Sequence, residues 1–234
     1  MKILIVGATG SIGSTILQYC LRRPEITQVV AITRRPIPSP SPSSSEHDAA
    51  KLSHVLIPDF GALDAVPDST WVQLADADAL IWAMGTYDLN EDVNLNYPLA
   101  FQERIATRLR RDGKTARFRF ILLGGAFTET NQSRRLFLLW DQRRMKGLLQ
   151  AKTLKFAEDR SEMWEAVVIR PGGILLGGEK LQNRVAKTVF GDTLVVRGEE
   201  VGACVADLVV IGSEEAVVEN LEIVERGRRA LIDG

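Results

Sequence analysis

Apolar residues along the chain form short continuous runs, separated by segments with helical spacing. The first run, Lys2–Val6, ends at Gly7 and is typical of a strand buried on both faces of a parallel sheet. The next segment places Ile12, Ile16 and Cys20 on one helical face. Similar strand-like runs recur at Val29–Thr33, His54–Ile57, Ala79–Ala83, Phe118–Leu123 and Ala166–Ile169, with helical patterns at Pro98–Arg111 and Trp140–Glu158. This alternation predicts an α/β fold of the Rossmann type, a doubly wound parallel sheet with helices on both faces.

The chain has 234 residues, a length that suits a single domain over 1–234. Residues 171–234 are expected to add a small cap on the substrate side. This region is predicted to hold one more amphipathic helix from Glu199 and a last short strand at Leu221–Val224. Residues 36–50 contain a proline/serine tract that cannot form a regular element, so we expect a flexible surface loop there. A lid over the adenosine end of a cofactor is the alternative.

Composition and charge exclude several partners. The 29 Lys and Arg residues balance 30 Asp and Glu residues, so no global positive field exists to hold nucleic acid or an anionic membrane. No apolar run reaches the roughly 18 residues of a spanning helix, and the first run is unlike a signal peptide. Cys20 and Cys204 lack the spacing of a metal site or a disulfide framework. We therefore expect a soluble cytoplasmic protein with no metal, for which a homodimer remains open.

A glycine-rich turn joins the first strand to the first helix, which is the context of a dinucleotide-binding motif. Gly7 allows the tight turn, Gly10 lets the backbone approach a pyrophosphate, and Gly13 lets the helix pack closely on the strand. The helix start offers free N–H groups and the positive end of its dipole to phosphates. The residues predicted to bind the cofactor here are Gly7, Thr9, Gly10, Ser11, Ile12 and Gly13.

The end of the second strand predicts which dinucleotide binds. Sites that prefer NAD usually carry an acidic residue there for the ribose 2′-hydroxyl. This chain has Thr33, Arg34 and Arg35 instead, and two guanidinium groups suit a 2′-phosphate. We therefore predict NADP(H) over NAD(H). Two further segments are predicted to contact the cofactor because of the strands that they follow. Asp59 and Phe60 are expected to cover the adenine, and the pyrophosphate and nicotinamide ribose are expected to lie above Ala83, Met84, Gly85 and Thr86.

Three segments together resemble a known family. The Gly7–Gly13 spacing, Thr33–Arg35 and Arg170–Gly172 are similar to those of the atypical short-chain dehydrogenase/reductases. Within that group the chain resembles the NmrA-like proteins and the small Tat-interacting-protein-type oxidoreductases. The resemblance implies an NADP(H)-binding Rossmann fold with a substrate cleft above the nicotinamide, and it places Pro171 and Gly172 beside the cofactor.

The catalytic pattern that the resemblance implies is incomplete in this chain. Active members of the superfamily use a Ser and a Tyr that stands four residues before a Lys. Lys146 and Gly147 match the Lys-Gly of the family, but Gln142 stands where the Tyr is expected, and Leu123–Gly125 offers no hydroxyl. The amide of Gln does not titrate, so the usual proton relay is missing. Lys146 can still hold the nicotinamide ribose.

Several residues are candidates to replace the tyrosine. An Arg or Lys can stabilise a developing oxyanion, and Asp141 can pair with a cationic imine. Tyr87 is a phenol beside a cofactor-facing loop, while Asn96 is expected to cap the helix that Pro98 opens. The candidate catalytic residues are Lys146, Gln142, Asp141, Arg134 and Tyr87. Their neighbours on the same helix and the preceding loop include Thr128, Glu129, Arg135, Trp140, Arg143 and Arg144.

Three functions remain open at this point. The first is an NADP(H)-dependent reductase of a hydrophobic carbonyl or imine that lacks the usual relay. The second is a non-catalytic NADP(H)-binding redox sensor, and the third is a small-molecule cyclase built on the same pocket. An enzyme predicts an apolar cleft with one or two convergent polar groups, whereas a regulator predicts a capped nicotinamide face and an exposed apolar patch elsewhere.

Replacing Arg34 and Arg35 together with Ala tests the cofactor preference. We expect NADPH affinity to fall about 100-fold, because charged hydrogen bonds to the 2′-phosphate are lost, while NADH affinity changes little. Fluorescence titration of both cofactors measures the two effects. An equal loss for NADPH and NADH would contradict the 2′-phosphate assignment.

Overall fold

A seven-stranded parallel sheet forms the centre of the protein. The computed structural model describes residues 1–35, 46–86, 88–133, 140–177 and 191–233. The sheet has the order β3-β2-β1-β4-β5-β6-β9, so β1 lies between β2 and β4, where the direction of winding reverses. The predicted α/β fold is confirmed. The strands of this sheet are β1 (Lys2–Val6), β2 (Gln28–Thr33), β3 (Leu52–Leu56), β4 (Ala79–Trp82), β5 (Phe118–Leu123), β6 (Trp164–Arg170) and β9 (Val217–Glu219).

Helices cover both faces of the sheet. Alternate residues of each strand point to opposite faces, and apolar residues on both faces are buried under these helices. The helices are α1 (Ser11–Arg22), α2 (Glu46–Lys51), α3 (Asp68–Ala75), α4 (Tyr97–Arg111), α5 (Trp140–Glu158), α6 (Gly198–Ile211) and α7 (Asn220–Asp233). Leu4 of β1 belongs to the core under α3, α4 and α5, whereas Ile3 and Ile5 belong to the core under α1, α6 and α7. No helix among the described residues is long and apolar enough to cross a membrane.

The C-terminal part of the chain contributes both to the site and to the main core. β7 (Gly173–Leu175) and β8 (Val195–Arg197) pair as a separate two-stranded parallel sheet. The helix predicted from Glu199 is α6, and it packs on α1.

The strand predicted at Leu221–Val224 is wrong, because these residues belong to α7 and the last strand, β9, ends just before that helix. Ile223 and Val224 are buried while Leu221 is 48% exposed. That pattern is one buried helical face, which a short apolar run does not distinguish from a strand.

The loop predicted at 36–50 is wrong for residues 46–50, which form α2 together with Lys51. The Nζ atom of Lys51 donates hydrogen bonds to the carbonyls of Leu21 (2.9 Å) and Arg23 (3.0 Å) at the end of α1. These bonds anchor the short helix where the carbonyl groups of α1 lack partners. Residues 36–45, which hold most of the proline/serine tract, lie outside the described residues.

The predicted cap at Asn96 is also wrong. Asp92–Asn96 form a π-helical turn that runs directly into α4, and Asn96 itself has helical backbone angles and no capping hydrogen bond. Its Nδ2 atom donates to Asp92 Oδ1 at 3.0 Å instead. A residue inside a continuing helix cannot cap it, because capping requires a non-helical backbone. Pro98 does lie in the first turn of α4, as predicted.

Candidate functional site

The turn between β1 and α1 brings the helix unusually close to the strand end. A Cβ atom on Gly13 would lie 2.0 Å from the carbonyl oxygen of Gly7, so only glycine fits at this crossing. Gly10 differs, since a Cβ there would meet only Gly7 O, at 3.3 Å. The space in front of Gly10 is therefore open, as the approach of a ligand requires. Gly7 has a φ of 90°, which allows the tight turn.

The first turn of α1 presents free main-chain donors. Gly10 stands at the N-cap position without a side chain, and the first bond into the helix runs from Ser14 N to Gly10 O at 2.8 Å. Among the described residues, the amides of Ser11, Ile12 and Gly13 have no acceptor. Three unpartnered N–H groups at the positive end of a helix dipole form an anion site. The residues present thus fit the pyrophosphate of a dinucleotide.

Arg34 and Arg35 lie exposed at the carboxyl end of β2, beside this turn. Neither forms an ion pair within the described ranges. Thr33 is buried, and its hydroxyl donates to Arg35 O at 2.7 Å, which fixes the course of the chain after the strand. Both guanidinium groups are therefore available to a ligand, and their binding to a 2′-phosphate stays a prediction.

The expectation that Phe60 covers an adenine is wrong for its side chain. The ring is only 2% exposed and packs 5.8 Å from Trp82 and 5.9 Å from Phe101, measured between ring centroids. An aromatic ring in such a cluster contributes more to the core than it would on the surface. Asp59 remains exposed, and its Oδ1 atom accepts a hydrogen bond from Gly61 N at 2.7 Å. Only Asp59 and the main chain of Phe60 can meet a cofactor.

The loop after β4 is held by the buried side chain of Asn94. Ala83 N extends the sheet by donating to Val6 O at 2.9 Å, and Met84 and Gly85 follow at the same edge. Asn94 Oδ1 accepts from Thr86 N at 2.9 Å, while Asn94 Nδ2 donates to Thr86 Oγ1 at 2.9 Å. The amide of Asn94 thus fixes the loop from within. Tyr87, the next residue, lies outside the described residues.

A cavity of about 430 Å³ opens directly beyond the first turn of α1. It lies between α5 and the chain segments that follow β5 and β6. Seven predicted site residues line it, namely Ser11, Ile12, Thr86, Gln142, Lys146, Pro171 and Gly172. The other lining residues are Gly124, Gly125, Ala126, Phe127, Thr128, Arg143, Gly173, Ile174 and Leu176.

Of the other candidate catalytic residues within the described ranges, the structure places only Gln142 in the lining of this cavity. Asp141 is exposed to solvent and does not line it, which leaves no support for pairing with a cationic substrate. Arg134 lies outside the described residues. Gln142 does line the cavity, and its side-chain amide has no hydrogen-bond partner in the part of the chain that the structure describes.

Lys146 places its amino group at the inner wall of the cavity. The Nζ atom lies 3.6 Å from the position that a Cβ on Gly125 would occupy. Burial lowers the pKa of Lys146 below the usual lysine value, because the charged form loses hydration. A lowered pKa makes the ammonium group a better proton donor near neutral pH.

The loop that follows β5 is tied to β6 and to the segment after it. Ala126 N donates to Pro171 O at 2.8 Å, and Arg170 Nη2 donates to Thr128 O at 2.8 Å. The hydroxyl of Thr128 closes the turn by donating to Gly125 O at 2.6 Å. These bonds hold the loop that forms one wall of the cavity.

The same loop is also joined to α5, and Gly147 makes this contact possible. Glu129 N donates to Arg143 O at 3.0 Å. A Cβ on Gly147 would lie 1.7 Å from Glu129 O, so any larger residue would push the loop away from the helix. The glycine of the Lys-Gly pair is thus a packing contact that positions the loop beside Lys146.

The segment after β6 is fixed by a second buried asparagine, which the sequence analysis missed. Asn220 Oδ1 accepts from Gly172 N at 2.6 Å, and Asn220 Nδ2 donates to Asp192 O at 2.7 Å and to Val195 O at 3.2 Å. Its side chain joins Gly172, which lines the cavity, and the chain leading into β8 to the start of α7. No spacing signal in the sequence marks this residue, because its partners are 25 to 48 positions away.

Several solved structures share the fold of this chain. A short-chain dehydrogenase from Leptospira borgpetersenii with bound NAD⁺ is 14% identical, with a TM-score of 0.66, covering 94% of this chain and 92% of that one. Pseudomonas aeruginosa RhlG in an active-site complex with NADP is 18% identical, with a TM-score of 0.63 and 93% of each chain covered.

A 4-hydroxyisoleucine dehydrogenase complexed with NADH is likewise 18% identical, with a TM-score of 0.62, covering 94% of this chain and 98% of that chain. Neither a protein-family model nor a curated protein sequence matches the chain. At these identities the likeness shows the Rossmann-type fold of the short-chain dehydrogenases over nearly the whole chain.

Replacing Gly147 with Ala tests the contact between the loop and α5. We expect the free energy of unfolding to fall by about 2 kcal/mol and Tm by roughly 4–8 °C, because the added methyl group overlaps Glu129 O. Gly125→Ala is the matched control, since its Cβ would meet Lys146 Nζ at an ordinary 3.6 Å. Thermal unfolding of both variants measures the difference. Equal Tm values for the two variants would refute the packing role of Gly147.

Proposed function

We propose that the protein is an NADP(H)-dependent oxidoreductase of the short-chain dehydrogenase/reductase class that reduces a carbonyl or imine group of a hydrophobic small molecule. One observation carries this proposal. The phosphate cradle and the cavity are continuous, because Ser11 and Ile12 belong to both. A dinucleotide held at its pyrophosphate by the first turn of α1 can therefore extend to a cavity that contains Lys146.

The choice of cofactor rests on three observations. The proteins with similar structures carry NADH, NAD⁺ or NADP, which supports a nicotinamide dinucleotide in this fold. The preference for NADP(H) rests on Arg34 and Arg35, whose exposed guanidinium groups suit the 2′-phosphate. The absence of an acidic residue at the end of β2 supports the same preference.

The chemistry of the site follows from its polar groups. When bound, the nicotinamide would supply the hydride that reduces the substrate. Among the described lining residues, Lys146 carries an exchangeable proton on a group whose pKa is lowered by burial, whereas the amide of Gln142 does not titrate. Its Nζ atom donates a proton to the substrate oxygen or nitrogen as negative charge develops there. Gln142, one helical turn earlier, donates a hydrogen bond to the same atom.

The walls of the cavity support an enzyme over the non-catalytic sensor. Ile12, Phe127, Ile174 and Leu176 give it apolar sides, while the polar side chains converge from α5. An apolar cleft with a few convergent polar groups is typical of a site for a small hydrophobic substrate. A purely regulatory protein would not need a proton donor with a lowered pKa at this position.

The proposal is tested by following NADPH oxidation with a panel of hydrophobic ketones and imines as a function of pH. We expect turnover that declines as pH rises through the lowered pKa of Lys146, because the ammonium form is the active one. Lys146→Arg should move this decline to higher pH, since a guanidinium group stays protonated. Gln142→Tyr serves as the control for a restored relay and should keep or raise carbonyl reduction. Tight NADPH binding without turnover on any panel member would contradict the reductase and favour a sensor or cyclase.

A further inference from the structure

The cavity carries two cationic side chains and, among its described lining residues, no acidic one. Arg143 and Lys146 both line it from α5. Asp141 stands on the same helix but is exposed to solvent and lies outside the lining. A cleft lined by one sign of charge raises the local concentration of ligands of the opposite sign. This charge pattern favours an anionic ligand and disfavours a cationic one.

The guanidinium group of Arg143 is held in place at one edge only. Its Nε atom donates to Phe127 O at 2.7 Å, and its Cζ atom lies 6.0 Å from the centre of the Phe127 ring. The two terminal nitrogens have no hydrogen-bond partner in the described part of the chain. A guanidinium group that is fixed at Nε and open at its terminal nitrogens can bind a carboxylate with two parallel hydrogen bonds.

Helix geometry limits the distance between this anion site and the reacting group. Arg143 and Lys146 are three positions apart on α5, so their Cβ atoms are neighbours about 5–6 Å apart. A ligand that meets both side chains needs only a few bonds between its carboxylate and its carbonyl group. The apolar side chains of Ile174 and Leu176 are left for the rest of the molecule.

We propose that the substrate is an apolar oxo acid whose carboxylate is bound by Arg143 while its carbonyl group faces Lys146. This assignment rests on the proposed reductase function and specifies its substrate class. In the reaction a hydride passes from NADPH to the carbonyl carbon and a proton passes to the carbonyl oxygen. The products are the hydroxy acid and NADP⁺, and Lys146 regains its proton from solvent. Arg143 determines specificity and takes no part in proton transfer.

The test compares oxo acids with their methyl esters, which keep the carbonyl group and remove the negative charge. The probes are 2-oxo-4-phenylbutanoate and 4-oxo-4-phenylbutanoate, each with its methyl ester. We expect kcat/KM for the better acid to exceed that for its ester by about 30-fold or more, since charged hydrogen bonds are lost in the ester. Arg143→Ala should remove most of this preference by lowering the value for the acid, while the value for the ester stays within about threefold.

A charge control on the same helix is provided by Lys152→Ala. Lys152 is exposed and does not line the cavity, so this variant removes one positive charge without touching the site. We expect it to keep the preference for the acid. If Arg143 acted on the carbonyl oxygen instead, Arg143→Ala would lower the values for acid and ester equally, and the assignment would be overturned. Equal use of acid and ester by the wild-type protein would overturn it as well.

Binding of a non-reducible acid separates this proposal from the reductase function itself. Calorimetric titration of 4-phenylbutanoate and its methyl ester, with and without NADP⁺, reports on Arg143 even if no carbonyl is reduced. We expect the acid to bind more tightly than the ester in the wild-type protein and not in Arg143→Ala. Absence of NADPH oxidation with this preference intact would refute the reductase alone. Absence of the binding preference would refute the role of Arg143.

Discussion

The crossing of α1 over the end of β1 is the contact on which the site depends. Gly13 lies so close to Gly7 O that no side chain can be accommodated, and this proximity aims the first turn of the helix at the switch point of the sheet. The amides of Ser11–Gly13 are free because the first N–H groups of a helix have no intrahelical partner, and the placement of α1 directs them towards the switch point. Because the same turn also forms one wall of the cavity, the phosphate site and the reacting site that we propose share a single structural origin.

The opposite wall depends on a set of long-range ties. The loop after β5 is hydrogen-bonded to the segment after β6 and to α5. The contact with α5 is possible because Gly147 has no side chain that would overlap Glu129 O. Lys146 stands next to Gly147 on this helix and is partly buried, and this burial lowers its pKa below the usual lysine value. In the reaction that we propose, Lys146 takes the place of the missing tyrosine as the proton donor.

Local sequence patterns predicted the strands and helices, whereas the roles of single side chains in the site depend on long-range contacts. The buried strands, the glycine turn and the bounds of α5 could be predicted because periodicity and glycine spacing act within a few residues. The roles of Asn94 and Asn220 could not be predicted, because their side chains form hydrogen bonds to loops that lie next to them only in the folded protein. Phe60 was misplaced for the same reason, because whether an aromatic residue faces a ligand or the core depends on what packs above it.

The most direct test of the account is an NMR titration of isotope-labelled protein with NADPH. Hydrogen bonds from the pyrophosphate should shift the amide signals of Ser11, Ile12 and Gly13 strongly, because these groups have no acceptor among the described residues of the free protein. The amide signals of Ser213–Ala216, which line a separate cleft, should stay unchanged. Binding of NADPH without a shift of these three signals would contradict the claim that the first turn of α1 holds the pyrophosphate.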